Sequence, residues 1–244
     1  MTTQPGIRRP VRRVSGERGR PLDPHVWPGT LPAARQLVDE GLDLGPLTVL
    51  VGENGAGKST VVEAIAMAYG LSPEGGSIGA RLTSRASESP LHESLSLVRN
   101  PGAARWGFFL RAETMHGFYS YLEANPGKSM EPAFHEMSHG ESFLAVLAHR
   151  FDSPGFYVLD EPEAALSFSS SLALVGLLAE IAVSERTQAI VSTHSPIVAA
   201  TPGADIYEVG DWGLRRVAWE DLELVQHWRR FLDGPGAYLR HLRD

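Results

Sequence analysis

Short, continuous runs of apolar residues recur along the chain and have the length of buried β-strands. The first, LTVLV at residues 47–51, is rich in β-branched residues and is bounded by Pro46 and Gly52. An apolar run without alternation is typical of a strand that is covered on both faces of its sheet. Further strands are predicted in WGFFL (106–110), FYVLD (156–160) and TQAIVST (187–193).

Segments with the period of helices alternate with these strands. The first predicted helix covers residues 58–69, and the glycine-rich stretch GLSPEGGS ends it. Residues 166–183 are predicted to form a crossover helix that connects the last two strands. An amphipathic helix is predicted near the C-terminus from the spacing of the apolar residues Leu222, Val225, Trp228, Phe231 and Leu232. This alternation predicts an α/β fold around a mostly parallel central sheet with flanking helices.

The composition limits the architecture and the compartment. A chain of 244 residues with 43% hydrophobic residues can bury one large core, and we expect residues 22–244 to form a single domain. Cysteine is absent, which excludes disulfides and thiolate metal sites and favours a reducing cytoplasm. The longest apolar run, at 172–183, is too short to span a bilayer. We therefore expect a soluble, cytoplasmic protein without an integral membrane segment.

Positive charge is concentrated at the N-terminus. Residues 1–20 contain six arginines and one glutamate, whereas the whole chain has a formal net charge of −7. Such a segment can neutralise the phosphates of DNA, and a solvated tail is the alternative. We therefore expect residues 1–21 to form a flexible basic arm in front of an acidic body.

The sequence GENGAGKST lies directly between the first predicted strand and the first predicted helix. It matches the phosphate-binding pattern G-x-x-x-x-G-K-[ST] in the structural context that this motif requires. Its glycines let consecutive backbone N–H groups point at phosphate oxygens. Lys58 can reach the β and γ phosphates, and the Ser59 hydroxyl can bind magnesium. The predicted nucleotide-binding residues are Gly52, Glu53, Asn54, Gly55, Ala56, Gly57, Lys58, Ser59 and Thr60.

Two acids, Asp160 and Glu161, follow the predicted strand FYVL. They would lie at the carboxyl end of a buried strand, which is where open α/β sheets bind ligands. Asp160 suits a magnesium ion, and Glu161 can polarise an attacking water molecule. The alternative is that the two acids only end the strand, but the phosphate-binding motif in the same chain favours a catalytic interpretation.

Together these motifs resemble those of the ATP-binding cassette (ABC) superfamily, and further motifs follow in that family's order. MSHGE resembles the signature loop, usually Leu-Ser-Gly-Gly-Gln, and its Ser138 lies 22 residues before Asp160. EAALS at 163–167 resembles the D-loop. The resemblance implies that His194 contacts the γ-phosphate. It also implies that Glu113 replaces a glutamine near the metal and the water, although a surface acid is the alternative there.

In the ABC superfamily, two subunits sandwich two ATP molecules head to tail. The resemblance therefore implies an ATP-dependent homodimer in which Ser138, Gly140 and Glu141 of one copy close the ATP site of the other. It also implies a P-loop NTPase core with a small helical lobe, at about 114–150, that carries the signature loop. Glu141 departs from the usual glutamine and adds a negative charge beside the phosphate.

The motifs GENGAGKST, DEPEAALS and STHSPIVA look more like those of stand-alone and DNA-repair ATPases related to RecF and SMC proteins than like transporter cassettes. We therefore predict an ATP-hydrolysing enzyme whose closure acts on DNA or on a separate effector protein. The alternative is a nucleotide-dependent regulatory module or the nucleotide-binding subunit of an ABC transporter. Trp27 has the family's spacing for an aromatic ring that stacks on adenine, and ordinary packing is the alternative.

Overall fold

The structure is a computed structural model that describes residues 9–77, 89–111, 144, 147–148, 151, 153–164 and 166–240. Most of the expected helical lobe lies outside these residues. The same holds for Glu113, Ser138, Gly140 and Glu141, so their predicted roles stay predictions.

Strands and helices alternate along the described chain. The strands are β1 (Val11–Gly16), β2 (Leu42–Asp43), β3 (Leu47–Val51), β4 (Gly76–Ser77), β5 (Leu95–Arg99), β6 (Gly107–Arg111), β7 (Phe156–Asp160), β8 (Gln188–Thr193), β9 (Asp205–Gly210) and β10 (Gly213–Arg216). The α-helices are α1 (Pro32–Asp39), α2 (Lys58–Tyr69), α3 (Phe168–Ala182), α4 (Pro196–Ala199), α5 (Glu223–Asp233) and α6 (Pro235–Leu239). Short 3-10 helices cover Pro90–Ser94 and Trp219–Asp221.

A seven-stranded sheet in the order β10-β9-β3-β8-β7-β6-β4 forms the centre of the protein. The five inner strands are parallel, and β10 and β4 pair antiparallel at the two edges. The α/β fold with a mostly parallel sheet is therefore confirmed. Because β3, β7 and β8 are parallel neighbours in register, the loops that follow them meet at one edge of the sheet.

The core has two parts, one on each face of this sheet. Alternate residues of the inner strands point to opposite faces, so Leu50 and Val158 pack with α2 while Val49 and Leu159 pack with α3. All four side chains are fully buried. Burial of each aliphatic side chain stabilises the fold by about 1.5–3 kcal/mol. These layers therefore hold the carboxyl ends of the strands in place.

A second, three-stranded antiparallel sheet in the order β2-β1-β5 corrects the expectation of a flexible arm. Residues 11–16 form its central strand, in which Val11 and Val14 are fully buried. A register shift between Val11 and Arg13 explains why two valines three positions apart both point inward. Arg13 pairs with Asp43 at 2.9 Å, so this arginine contributes to the fold of the sheet.

Two further segments complete the comparison with the predicted elements. The proline-rich stretch before the first predicted strand includes helix α1, which the apolar pattern did not predict and which begins at Pro32. The C-terminal amphipathic helix is confirmed as α5, although Trp228 and Leu232 of its apolar stripe remain exposed. No helix in the described part of the chain is both long and apolar enough to cross a membrane.

Candidate nucleotide-binding site

The loop between β3 and α2 has the backbone of a phosphate cradle. Gly55 and Gly57 have φ angles of 84° and 95°, in the left-handed region that glycine adopts without steric cost. Gly52 lies so close to β9 that a Cβ atom there would be 2.4 Å from the carbonyl oxygen of Val209. The loop therefore requires glycine at these positions, and it leads directly into the N-terminus of α2 at Lys58.

Lys58 is the first residue of α2, and only 3% of it is exposed. Its Nζ donates a hydrogen bond to the carbonyl oxygen of Glu53 at 2.9 Å and lies 4.0 Å from Oε1 of Glu161. Burial lowers the pKa of Lys58, while the nearby carboxylates of Glu161 and Asp160 oppose that change. The glycine loop, which would also bind a phosphate, thus holds the ammonium group in place.

Asp160 ends β7 and is buried. Its Oδ1 accepts a hydrogen bond from the Ser192 hydroxyl at 2.5 Å, and the Ser59 side chain is hydrogen bonded to the same carboxylate. Burial raises the pKa of Asp160, and the bonds from Ser192 and Ser59 and the charge of Arg111 oppose that rise. Arg111 lies 3.8 Å from Oδ2 of Asp160 and also pairs with Glu63 of α2 at 2.8 Å.

Glu161 has a φ angle of 50°, which is unusual for a residue other than glycine. Such a conformation costs about 1–3 kcal/mol and persists only where the surrounding structure imposes it. A hydrogen bond from the Glu161 N–H to the carbonyl oxygen of Ser192, at 3.0 Å, helps to hold it. As a result, Oε1 of Glu161 lies 3.5 Å from Nδ1 of His194 and 4.0 Å from Nζ of Lys58.

Lys58, Ser59 and Glu161 line a cavity of about 460 Å³, and Asp160 and His194 contact these lining residues. Its lining residues are Trp27, Leu31, Asn54, Gly55, Gly57, Lys58, Ser59, Thr60 and Glu161. Trp27 lines this cavity and is 49% exposed. The cavity joins a cationic group, hydroxyl donors, backbone N–H groups and an aromatic ring, which is the chemistry that a nucleoside triphosphate requires.

The structure thus brings together most of the site residues predicted from sequence: the loop from Gly52 to Thr60, Asp160, Glu161 and His194. Sequence reasoning missed the side chains that support them. Arg111 and Ser192 contact the carboxylate of Asp160, and Glu163 accepts a hydrogen bond from the backbone N–H of His194. Thr193 acts one step further away, because its hydroxyl donates to Glu163. Position was their signal, because each lies within three residues of a motif residue at a strand end, and Glu163 also begins the segment that resembles the D-loop.

Comparison with known proteins decides the family. A sequence model of the ABC transporter family matches residues 37–164, just over half of the chain. This chain belongs to the ABC family of P-loop ATPases. A second sequence model, described as an AAA domain assigned to the AbiEii toxin of a Type IV TA system, matches residues 131–200. No match was found among curated proteins.

Several solved structures are similar in fold to this ABC-family chain. One is a protein assigned as a metal-chelate type ABC transporter in an inward-facing conformation, with 17% identity, a TM-score of 0.44, and coverage of 74% of this chain and 75% of that chain. Another is the SMC head domain from Thermotoga maritima, with 20% identity, a TM-score of 0.44, and coverage of 73% of this chain and 93% of that chain. A third is the SmcHead bound to the C-winged helix domain of ScpA, with 18% identity, a TM-score of 0.41, and coverage of 72% and 92%.

Proposed function

We propose that this ABC-family chain binds ATP with magnesium in the cavity beside Lys58 and hydrolyses it. The observation that carries the proposal is the meeting of three groups from separate elements. Lys58 begins α2, Glu161 follows β7 and His194 follows β8, yet Oε1 of Glu161 lies within 4.0 Å of both other side chains. A cation, a carboxylate and an imidazole at one point fit the transfer of a phosphoryl group to water.

The phosphates would bind to the backbone N–H groups of the glycine loop and to the N-terminus of α2. This helix is 12 residues long, so its aligned peptide dipoles favour an anion at Lys58. Lys58 would exchange its hydrogen bond to Glu53 for contacts with the β and γ phosphates.

Magnesium fits the residues that are present, because the Ser59 hydroxyl and the Asp160 carboxylate are hydrogen bonded to each other. Both are oxygen ligands of the kind that this ion prefers, and it usually takes further ligands from substrate phosphates and water. We propose that Ser59 and Asp160 hold the ion, and that it neutralises charge on the phosphate oxygens. We also propose Glu113 as a third residue of the magnesium site.

In the hydrolysis step, Glu161 would accept a hydrogen bond from the attacking water and polarise it toward the γ-phosphate. The imidazole of His194 lies 3.5 Å from Glu161, and 44% of its side chain is exposed. We propose that it contacts the γ-phosphate of bound ATP. Lys58 would stabilise the negative charge on the phosphoryl oxygens.

We also propose that Trp27 stacks on the adenine ring. The support is its place in the same cavity as Lys58, Ser59 and Thr60, with about half of its surface exposed. An exposed indole face is a favourable platform for a planar base.

Dimer closure is the third part of the proposal. Ser138, Gly140 and Glu141 of a second copy would complete the site by contacting the γ-phosphate, in the head-to-tail arrangement of the ABC superfamily. The closed dimer would act on a separate molecule, either DNA or an effector protein.

The test of hydrolysis compares the purified protein with Glu161→Gln and with the exposed control Glu185→Gln. We expect magnesium-dependent phosphate release from the wild type and from the control, and a loss of about a hundredfold or more in Glu161→Gln, because a positioned base contributes that much. ATP binding should remain. Turnover that survives in Glu161→Gln would remove this residue from the mechanism, and ATP binding without turnover in the wild type would favour the regulatory alternative.

The test of the dimer uses the same slow variant. Light scattering after size exclusion should show a monomer without nucleotide and a dimer with ATP for Glu161→Gln. Adding Ser138→Arg should restore the monomer while ATP still binds, because the phosphate loop of the same chain is unchanged. A double variant that dimerises as well as Glu161→Gln would contradict the trans-acting role of Ser138.

A further inference from the structure

Glu163 is a buried acid for which the proposed mechanism has no role. It lies in the turn after β7, and only 8% of the residue is exposed. A buried carboxylate is unfavourable unless hydrogen bonds compensate it. The bonds that it makes therefore indicate what it does.

One oxygen of Glu163 holds the end of strand β8. Its Oε1 accepts a hydrogen bond from the Thr193 hydroxyl at 2.5 Å and another from the backbone N–H of His194 at 3.0 Å. The Thr193 hydroxyl in turn accepts a hydrogen bond from the N–H of Ser195 at 2.9 Å. One carboxylate oxygen thus joins the turn after β7 directly to Thr193, the last residue of β8, and to His194, and it reaches Ser195 through the Thr193 hydroxyl.

The imidazole of His194 extends from the backbone that these contacts restrain. Its Nδ1 is 3.5 Å from Glu161 and 4.0 Å from Oε1 of Glu163, so the ring faces two carboxylates on the neighbouring loop. Because 44% of the side chain is exposed, packing alone restrains the ring weakly. The hydrogen bond from the His194 N–H to Glu163 directly restrains the backbone that carries the ring.

We infer that Glu163 is a positioning residue, which fixes the backbone of His194 and thereby sets the distance between the imidazole and Glu161. The inference rests on the proposed ATPase function for its effect on turnover, but the restraint itself exists without nucleotide. Glu163 does not touch the reacting atoms. It acts through His194.

The two carboxylate oxygens of Glu163 differ in their hydrogen bonds. This difference allows an experiment to distinguish positioning by Glu163 from an effect of its negative charge. Oε2 is buried and has no hydrogen-bond partner within the part of the chain that the structure describes. The positioning therefore uses an acceptor oxygen at the place of Oε1 and does not need the second oxygen. Glutamine provides that acceptor without the charge, whereas alanine provides neither.

The activity test measures kcat and the equilibrium Kd of ATP for Glu163→Ala, Glu163→Gln, Thr193→Val and Thr193→Ser. We expect Glu163→Ala to lose about tenfold or more in kcat with little change in Kd, which corresponds to one hydrogen bond to a charged group. The amide variant should keep most of the turnover. Thr193→Val should lose part of it, and the matched Thr193→Ser, which keeps the hydroxyl, should not.

A second readout does not depend on activity. Hydrogen exchange of the His194 amide, followed by NMR, should become faster in Glu163→Ala and stay slow in Glu163→Gln, since only alanine removes the acceptor. Unchanged exchange in Glu163→Ala would overturn the inference whatever the turnover is. An equal loss of kcat in the amide and alanine variants would also overturn it, because it would point to charge.

The two failures can be told apart. A wild-type protein that does not hydrolyse ATP, combined with faster His194 exchange in Glu163→Ala, refutes the proposed ATPase function and supports the restraint. If Glu163→Ala does not fold, the pair Thr193→Val and Thr193→Ser decides. If Thr193→Val and Thr193→Ser show the same hydrogen exchange of the Ser195 amide and the same kcat, the inference is overturned.

Discussion

Replacing Lys58 with methionine should weaken ATP binding strongly, because methionine has nearly the same length but no charge. A hydrogen bond between charged groups contributes roughly 1.5–3 kcal/mol. At 1.4 kcal/mol for each factor of ten, the Kd for ATP should rise by about tenfold to a hundredfold. The upper part of this range is expected, since Lys58 is buried between Glu161 and the loop, and its loss leaves Asp160 and Glu161 facing the phosphates without that cation.

The same substitution should have the opposite effect on stability. Burial lowers the pKa of Lys58 below its ordinary value of 10.5, although Glu161 and Asp160 oppose this. A lowered pKa means that folding disfavours the charged form, so the ammonium group costs stability at neutral pH. The nucleotide-free Lys58→Met protein should therefore melt at the same or a higher temperature. Its advantage should shrink as the pH rises through the lowered pKa of the folded lysine and should disappear above 10.5, where the wild-type lysine is neutral in both states.

Both effects can be measured with one pair of variants. Titration calorimetry gives the Kd for ATP, and thermal unfolding without nucleotide gives Tm over a range of pH. Arg186→Met is the control, because this arginine is exposed in the turn before β8, away from the end of the sheet where the site lies. An ATP affinity within twofold of the wild type would refute the site. A large fall in Tm for Lys58→Met alone would show that Lys58 mainly stabilises the fold.

Two other substitutions test the adenine contact and the corrected N-terminal strand. Trp27→Ala should raise the Kd for ATP by about tenfold, as expected for roughly 1–3 kcal/mol of stacking, and should leave the binding of tripolyphosphate unchanged in the same titration. Val14→Ala should lower the free energy of unfolding by about 2 kcal/mol in a urea titration, because two buried methyl groups are lost. The exposed Arg12→Ala should change it by less than about 0.5 kcal/mol, and equal values would mean that β1 contributes nothing.

The inner strands of the fold could be predicted from sequence because their signal is local. β3 and β7 are buried on both faces, so apart from Thr48 and the hydroxyl of Tyr157 their side chains are apolar until β7 ends at Asp160. β1 could not be predicted, because an irregular register places two arginines between its buried valines. β9 and β10 also mix charged and apolar residues, since Glu208 and Arg215 pair with each other across the hairpin.

The site divides in the same way. The residues that would touch nucleotide lie in motifs with fixed spacing, so GENGAGKST and the Asp160–Glu161 pair were visible in the sequence. The supporting residues make contacts between distant segments: Arg111 reaches Glu63 and Asp160, and Glu163 reaches the end of β8. Such contacts depend on which strands are neighbours, and no local pattern specifies that order.

Several unfavourable features of the described chain lie where the nucleotide would bind. Burial disfavours the charged forms of both Lys58 and Asp160, and Glu161 adopts a backbone conformation that costs about 1–3 kcal/mol. The buried layers on both faces of the sheet impose these positions, because β3, β7 and β8 cannot shift without disturbing them. A triphosphate with magnesium would give the lysine an anion and the aspartate a cation at the same time. Its binding would therefore relieve electrostatic costs that are already present in the folded chain, and a site built in this way gains more from the charged ligand than a relaxed site would.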